Sequence, residues 1–140
     1  MTDPFDLQRF VDAQAPVYQR VLAELGRGEK QSHWMWYVFP QLAGLGHSPM
    51  AQRFALRSRD EAMAYLCHGV LGPRLRQCTA LVNAVAGRTI REILGSPDDL
   101  KFCSSMTLFG AVSSEPEFAA AIAKFYGGVP DRKTLELLDR

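Results

Sequence analysis

The chain has 140 residues, of which 47% are hydrophobic and 22% are charged. This length fits one domain, and the composition is ordinary for a folded globular protein, which argues against intrinsic disorder. No apolar run approaches the ~20 residues that cross a bilayer, and we see no secretory signal at the N-terminus. Three widely spaced cysteines argue against a disulfide framework or a zinc ribbon. We therefore expect a cytoplasmic protein whose cysteines are small core residues.

The formal net charge of +1 is unevenly distributed along the chain. Residues 27–91 carry nine basic and three acidic side chains, whereas the two flanks carry seven basic and twelve acidic ones. A basic middle can mark a surface that binds anions, or it can pack against the acidic ends and neutralise them. The sequence leaves both interpretations open.

Prolines, glycines and serines divide the first part of the chain into short helices. The first apolar stripe is interrupted, which predicts either two helices or one kinked helix. A short aromatic helix and a helix that runs to Leu56 should follow. In chain order, the signals are Asp3-Pro4 (start), Pro16 (break), Gly26 and Gly28 (stop), Ser32 (start), Pro40 (stop) and Ser48-Pro49 (start).

The second part repeats a capping pattern in which Ser or Thr precedes Glu by three residues. The strongest start, Ser96-Pro97 followed by two acidic residues, predicts a central helix to about Val112 with Leu100 on its wide apolar surface. No stretch shows the alternation of a strand. We predict one all-α domain over residues 1–140, a compact orthogonal bundle of seven to nine short helices. The capping pairs are Ser58 with Glu61, Thr89 with Glu92 and Ser114 with Glu117.

The motifs of familiar enzyme classes are missing from this sequence. It contains no nucleophile elbow, no P-loop, no zinc-protease motif and no dinucleotide fingerprint after a strand. The three histidines, His33, His47 and His68, have no spacing typical of metal ligands. We therefore expect no metal site and no cofactor.

Residues 30–41, KQSHWMWYVFPQ, depart most from ordinary helix composition. They include both tryptophans of the chain and four aromatic residues within six positions, with a lysine and a histidine at one edge. Indole faces stack on planar groups, and a helix start beside a cation can hold an anion. His33 is the only candidate for a catalytic acid or base. However, such aromatic residues more often form the core of a small helical domain.

Arginines supply a second possible group of anion ligands. Arg53 and Arg57 are four residues apart and would share one face of a continuous helix, with Arg59 close by. Arg74 lies at the start of the next predicted helix. The alternative is that these side chains form an ordinary solvated face.

Several sequence blocks together resemble the DUF-1810 family of proteins of unknown function. The resemblance covers essentially the whole chain and implies a small, mainly α-helical bacterial protein. It implies no established activity, cofactor or catalytic residue. The matching blocks are 5–11 (FDLQRFV), 30–42 (KQSHWMWYVFPQL), 44–46 (GLG) with Ser48, 71–75 (LGPRL), 95–101 (GSPDDLK) and 104–109 (SSMTLF).

Two functions remain open at this point. The first is a binding or catalytic site for a small planar anion such as a nucleotide derivative. The second is a module that binds a protein or a nucleic acid through the basic middle, without catalysis, although a pI near 7.8 does not favour nucleic acid. The residues predicted for the first function are Lys30, Ser32, His33, Trp34, Trp36, Gln41, Arg57 and Arg74.

Overall fold

The computed structural model describes residues 2–139. Within this range the chain forms ten α-helices, and its only extended pairing is an isolated bridge between Leu42 and Leu56. The all-α prediction is confirmed, with one helix more than the predicted seven to nine. None of these helices is long and apolar enough to cross a membrane. The helices are α1 (Gln8–Gln14), α2 (Tyr18–Arg27), α3 (Met35–Val38), α4 (Pro49–Arg53), α5 (Arg59–Cys67), α6 (Leu71–Ala84), α7 (Ile90–Leu94), α8 (Asp98–Ala111), α9 (Pro116–Tyr126) and α10 (Arg132–Leu138).

The break and the stop predicted around the first two helices are confirmed, but the start predicted at Asp3-Pro4 is wrong, because α1 begins at Gln8 with Leu7 as its N-cap. The Asp3 carboxylate accepts hydrogen bonds from the backbone N–H groups of Leu7 and Gln8, at 2.8 and 2.9 Å, and so fixes the chain as it enters α1. The break at the following proline separates α1 from α2. Gly28 ends α2 with a φ of 72°, in the left-handed region that glycine adopts without strain.

Three predicted capping residues accept the expected backbone hydrogen bond, and a full capping box forms at the last of them. The Glu61 carboxylate completes no such box, because it binds the Arg9 guanidinium and the backbone N–H of Arg57 instead. The helix predicted to reach Leu56 is shorter than expected, since α4 ends at Arg53. The three confirmed caps are Ser48, Ser58 and Thr89.

Three other predicted caps are wrong. The Ser32 hydroxyl donates to the buried carboxylate of Glu24, a charge-assisted bond, and α3 begins two residues later than predicted. Ser96 and Ser114 are exposed and cap nothing, and α8 and α9 each begin one residue later than predicted without a side-chain cap. At the start of α8 the backbone carbonyls of Gly95 and Pro97 accept the N–H groups of Asp99 and Leu100 instead, at 2.8 and 3.0 Å.

α8 is the central helix, as predicted. It packs against α5, α7, α9 and α10, and residues 102–109 are all buried. Leu100 departs from the prediction, since it lies in the exposed first turn and keeps 64% of its surface accessible. Phe39 packs edge-on against Phe102 with ring centroids 4.9 Å apart, which attaches the aromatic segment to α8.

Most residues predicted to form the core are buried. This holds for five residues of the aromatic segment, whereas Trp36 is partly exposed. The prediction for the cysteines is correct for Cys78 and Cys103 and wrong for Cys67, which lies exposed at the end of α5. The buried aromatic-segment residues are Trp34, Met35, Tyr37, Val38 and Phe39.

Candidate functional site

A buried carboxylate on α2 holds the start of the aromatic segment in place. Glu24 is 2% exposed, and its two oxygens accept four hydrogen bonds. The donors are the backbone N–H groups of Gln31 and Ser32, the Ser32 hydroxyl and the indole N–H of Trp34, at 2.5 to 2.9 Å. Burial alone would raise the pKa of Glu24, but the donors from Ser32, Gln31 and Trp34 outweigh it and lower the pKa to about 2. Glu24 is therefore a charged anchor for this segment.

Lys30 joins the same segment to the start of α8. Its ammonium lies 2.9 Å from the Asp98 carboxylate, donates to the backbone carbonyl of Ser32 at 2.5 Å and stands 4.9 Å from the centroid of the Trp34 ring. The Lys30 side chain is only 7% exposed. The Lys30 ammonium is thus already paired with groups of the protein itself and is a weak candidate for binding a ligand.

A cleft of about 380 Å³ opens between the aromatic segment and the start of α8. We call it the Trp36 cleft. Lys101 lies along it, with its ammonium 5.3 Å from the centroid of the Trp36 ring and 3.7 Å from the second oxygen of Asp98. His33 is exposed, and its imidazole forms no hydrogen bond with the described residues. The cleft is lined by Lys30, Gln31, His33, Met35, Trp36, Leu94, Ser96, Pro97, Asp98 and Lys101.

The charges and surfaces of the Trp36 cleft suit a planar anion. Two ammonium groups, Lys30 and Lys101, flank one carboxylate, Asp98, so the cleft carries an excess of positive charge. Trp36 is partly exposed and lines the cleft, where its ring is available for stacking once the Lys101 ammonium turns away from it. His33 adds a group that can donate or accept a hydrogen bond at the edge.

Three of the eight predicted site residues line this cleft, namely Lys30, His33 and Trp36. Ser32 and Trp34 lie directly behind it. The Ser32 hydroxyl is bound by Glu24, and Trp34 is 1% exposed with its indole N–H on the same carboxylate, so neither offers a free group to a ligand.

The other three predicted residues lie elsewhere. Gln41 lines a neighbouring cleft of about 430 Å³, which we call the Gln41 cleft. Arg57 lines a third cleft, with Arg53. These two arginines do not share a helical face as expected, because α4 ends at Arg53. The Arg74 guanidinium donates to the Gln14 side chain at 3.3 Å and covers the Tyr18 ring at 4.8 Å.

Sequence reasoning missed the partners that complete the cleft. Asp98 was expected only as an acid that favours the start of α8, and Lys101 was not singled out. Their spacing of three residues on one helix was a visible signal. Their position beside Trp36 depends on packing between distant segments, for which the local pattern carried no signal.

Comparisons with known proteins agree with the family blocks of the sequence. A model of the family described as "Protein of unknown function (DUF1810)" matches residues 4–138. Among solved structures, the chain is similar to the conserved hypothetical protein Rv1873 from Mycobacterium tuberculosis, with 60% sequence identity, a TM-score of 0.97 and 99% of each chain covered. The comparison with curated proteins gives no match. The chain belongs to the DUF1810 family of proteins of unknown function.

Proposed function

We propose that this protein binds a small planar anion, of the kind represented by nucleotide derivatives, in the Trp36 cleft. One observation carries the proposal. The Lys101 ammonium lies between the partly exposed Trp36 ring and a carboxylate that Lys30 already neutralises. A cation and an aromatic face thus meet in one concave site, which is the combination that a charged planar ligand requires.

The binding mode follows from these contacts. The planar part of the ligand stacks on Trp36, an interaction worth about 1–3 kcal/mol for a nucleobase on an aromatic side chain. The anionic part pairs with Lys101. The partly exposed Lys101–Asp98 pair at 3.7 Å contributes no more than about 1 kcal/mol, so Lys101 can turn towards a ligand at small cost.

His33 is the residue we assign to any chemistry at this site. Its exposed imidazole lines the cleft beside the proposed stacking position, where it can hydrogen-bond to the ligand or move a proton. A cytoplasmic location, which the cysteine pattern favours, fits such a ligand.

The proposal is tested by titrating the protein with nucleotides, sugar phosphates and NAD-related compounds, with tryptophan fluorescence and calorimetry as readouts. We expect a saturable response to at least one planar anion. Calorimetry should show weaker binding in Trp36→Leu, Lys101→Met and His33→Ala. Arg53→Ala removes a cation from another cleft and serves as the matched control. No binding across the panel, or binding unchanged in both Trp36→Leu and Lys101→Met, would contradict the proposal.

One observation favours the alternative, an interaction module that uses the basic middle. Arg53 and Arg57 are exposed and form no ion pair with the described residues. A partner bound through these side chains would be lost in the double variant Arg53→Ala/Arg57→Ala and retained in Lys101→Met. A nucleic-acid partner would in addition be released steeply by salt, because binding releases counterions from the phosphates.

A further inference from the structure

We propose that the ligand is bipartite, with its planar ring in the Trp36 cleft and an anionic tail of two or more phosphates in the Gln41 cleft. This inference rests on the proposed function and specifies the ligand class of the same site. It assigns a second subsite that binds the tail, with Lys101 between the two.

The two clefts are neighbours with a common wall. They share two lining residues, Pro97 and Lys101, at the beginning of α8. Their volumes of about 380 and 430 Å³ each lie near the lower end of the range for small-molecule sites. A ligand that fills both would therefore still occupy a volume within that range.

The Lys101 side chain lines both clefts and is held in place only by weak contacts. It is 26% exposed, and its ammonium is held by Asp98 at 3.7 Å and by the Trp36 ring at 5.3 Å. Both contacts are weak enough to exchange for a phosphate, because partly exposed ion pairs and cation–π contacts each contribute roughly 1 kcal/mol. When Lys101 turns to the tail of a ligand, it uncovers the Trp36 ring for the head.

The charge in the Gln41 cleft supports a phosphate tail. Lys133 lines it, is exposed and forms no ion pair with the described residues. The Asp131 carboxylate also lines it, but its Oδ2 atom accepts hydrogen bonds from the Ser104 hydroxyl at 3.1 Å and the Thr134 backbone N–H at 3.2 Å. Arg132 is paired with Glu136 at 3.1 Å, but this pair is exposed and can open for a phosphate just as the Lys101–Asp98 pair can. Lys101, Arg132 and Lys133 thus outnumber the one carboxylate that lines the cleft, Asp131.

The test is a calorimetric comparison of adenosine, AMP, ADP, ATP and ribose 5-phosphate in metal-free buffer at low salt. Adenosine has the ring alone, and ribose 5-phosphate has a phosphate without the ring. We expect these two to bind most weakly and the affinity to rise from AMP to ATP, by on the order of tenfold for two further phosphate contacts.

Substitutions test where the anionic tail of the ligand binds. Lys133→Ala should lower the affinity for ATP about two- to fivefold and leave the affinity for AMP unchanged, since a partly exposed charge pair contributes up to about 1 kcal/mol. Lys101→Met should abolish most of the difference between ATP and AMP. Arg53→Ala is the control for overall charge. It should change the affinities for ATP and AMP only slightly and by the same factor.

The outcomes separate this inference from the proposed function. Equal affinities for AMP and ATP would overturn the bipartite ligand while leaving the Trp36 cleft as a site. A loss of ATP affinity in Arg53→Ala as large as that in Lys133→Ala would also overturn it, because general electrostatic attraction would then explain the tail effect. If none of the five compounds binds, both proposals fail for nucleotides.

Discussion

The two tryptophans of this protein stand two residues apart and have opposite environments. Trp34 is 1% exposed, and its indole N–H is bound to the Glu24 carboxylate at 2.9 Å. Trp36 is partly exposed, with the ammonium of Lys101 5.3 Å from the centroid of its ring. One short segment thus has an anchored inner side, which carries Trp34, and an open outer side, which carries Trp36. The same residues can therefore hold the fold and form the wall of a binding cleft.

Substitutions on the inner side should lower the free energy of unfolding more than substitutions on the outer side. Glu24→Ala leaves the four donors on Gln31, Ser32 and Trp34 without their acceptor, and we expect it to destabilise the protein by about 3–5 kcal/mol. Denaturant unfolding measures this loss. Glu29→Ala, which removes an exposed acid just beyond α2, is the control and should change stability by less than about 0.5 kcal/mol. Equal effects of the two substitutions would contradict the anchor.

Acid should weaken the same anchor. The folded-state pKa of Glu24 is about 2, below its ordinary value of 4.5, so its contribution is fully present above pH 4.5 and is lost as the pH falls through 2. The free energy of unfolding should therefore fall with acidification more steeply in the wild type than in Glu24→Ala. Urea unfolding at a series of pH values measures both slopes, and parallel slopes would show that the Glu24 carboxylate is not stabilised by the fold.

The two lysines that bind Asp98 differ in the same way, one being buried and the other partly exposed. Lys30→Met removes a buried partner of Asp98 and a donor to the Ser32 carbonyl, and should destabilise the protein by about 2–3 kcal/mol. Lys101→Met removes a partly exposed partner and should change stability by less than about 1 kcal/mol. Thermal unfolding of both variants under one condition decides between this asymmetry and equal roles for the two side chains.

The two tryptophans should also differ in how easily a quencher in the solvent reaches them, which is the smallest effect that we expect. Acrylamide should quench Trp36 several times more strongly than Trp34, because only Trp36 has exposed surface. The variant Trp36→Phe isolates the buried fluorophore and Trp34→Phe isolates the exposed one. Similar quenching constants in the two variants would show that the segment lacks an inner and an outer side.

Much of the fold could be predicted from local patterns. The breaks before α2 and α3, the central position of α8 and the packing role of the aromatic segment all depend on residues that are neighbours in sequence. The failures have a common physical cause. Ser32 does not cap a helix because its hydroxyl binds the buried carboxylate of Glu24, eight residues earlier. Lys101, which lies over the Trp36 ring, is on a helix distant in sequence. Hydrogen bonds and ion pairs between segments are set by tertiary packing, which no local pattern encodes.

The candidate site was predicted in part for the same reason. Lys30, His33 and Trp36 line one cleft because they share a short segment. Arg57 and Arg74 were grouped with them by charge alone, and the fold places them elsewhere. Charge alone does not indicate which surface of the fold a side chain lies on, because the chain turns between helices.

We propose that the outer side of this segment binds a planar anion while the inner side only supports it. The most direct test is a nitrogen–proton NMR spectrum during titration with AMP and ATP, because the two indole N–H groups give two separate signals. We predict that the Trp36 signal shifts in a saturable manner and that the Trp34 signal, held on Glu24, stays in place. A spectrum in which neither signal moves, or in which only that of Trp34 moves, would contradict the account.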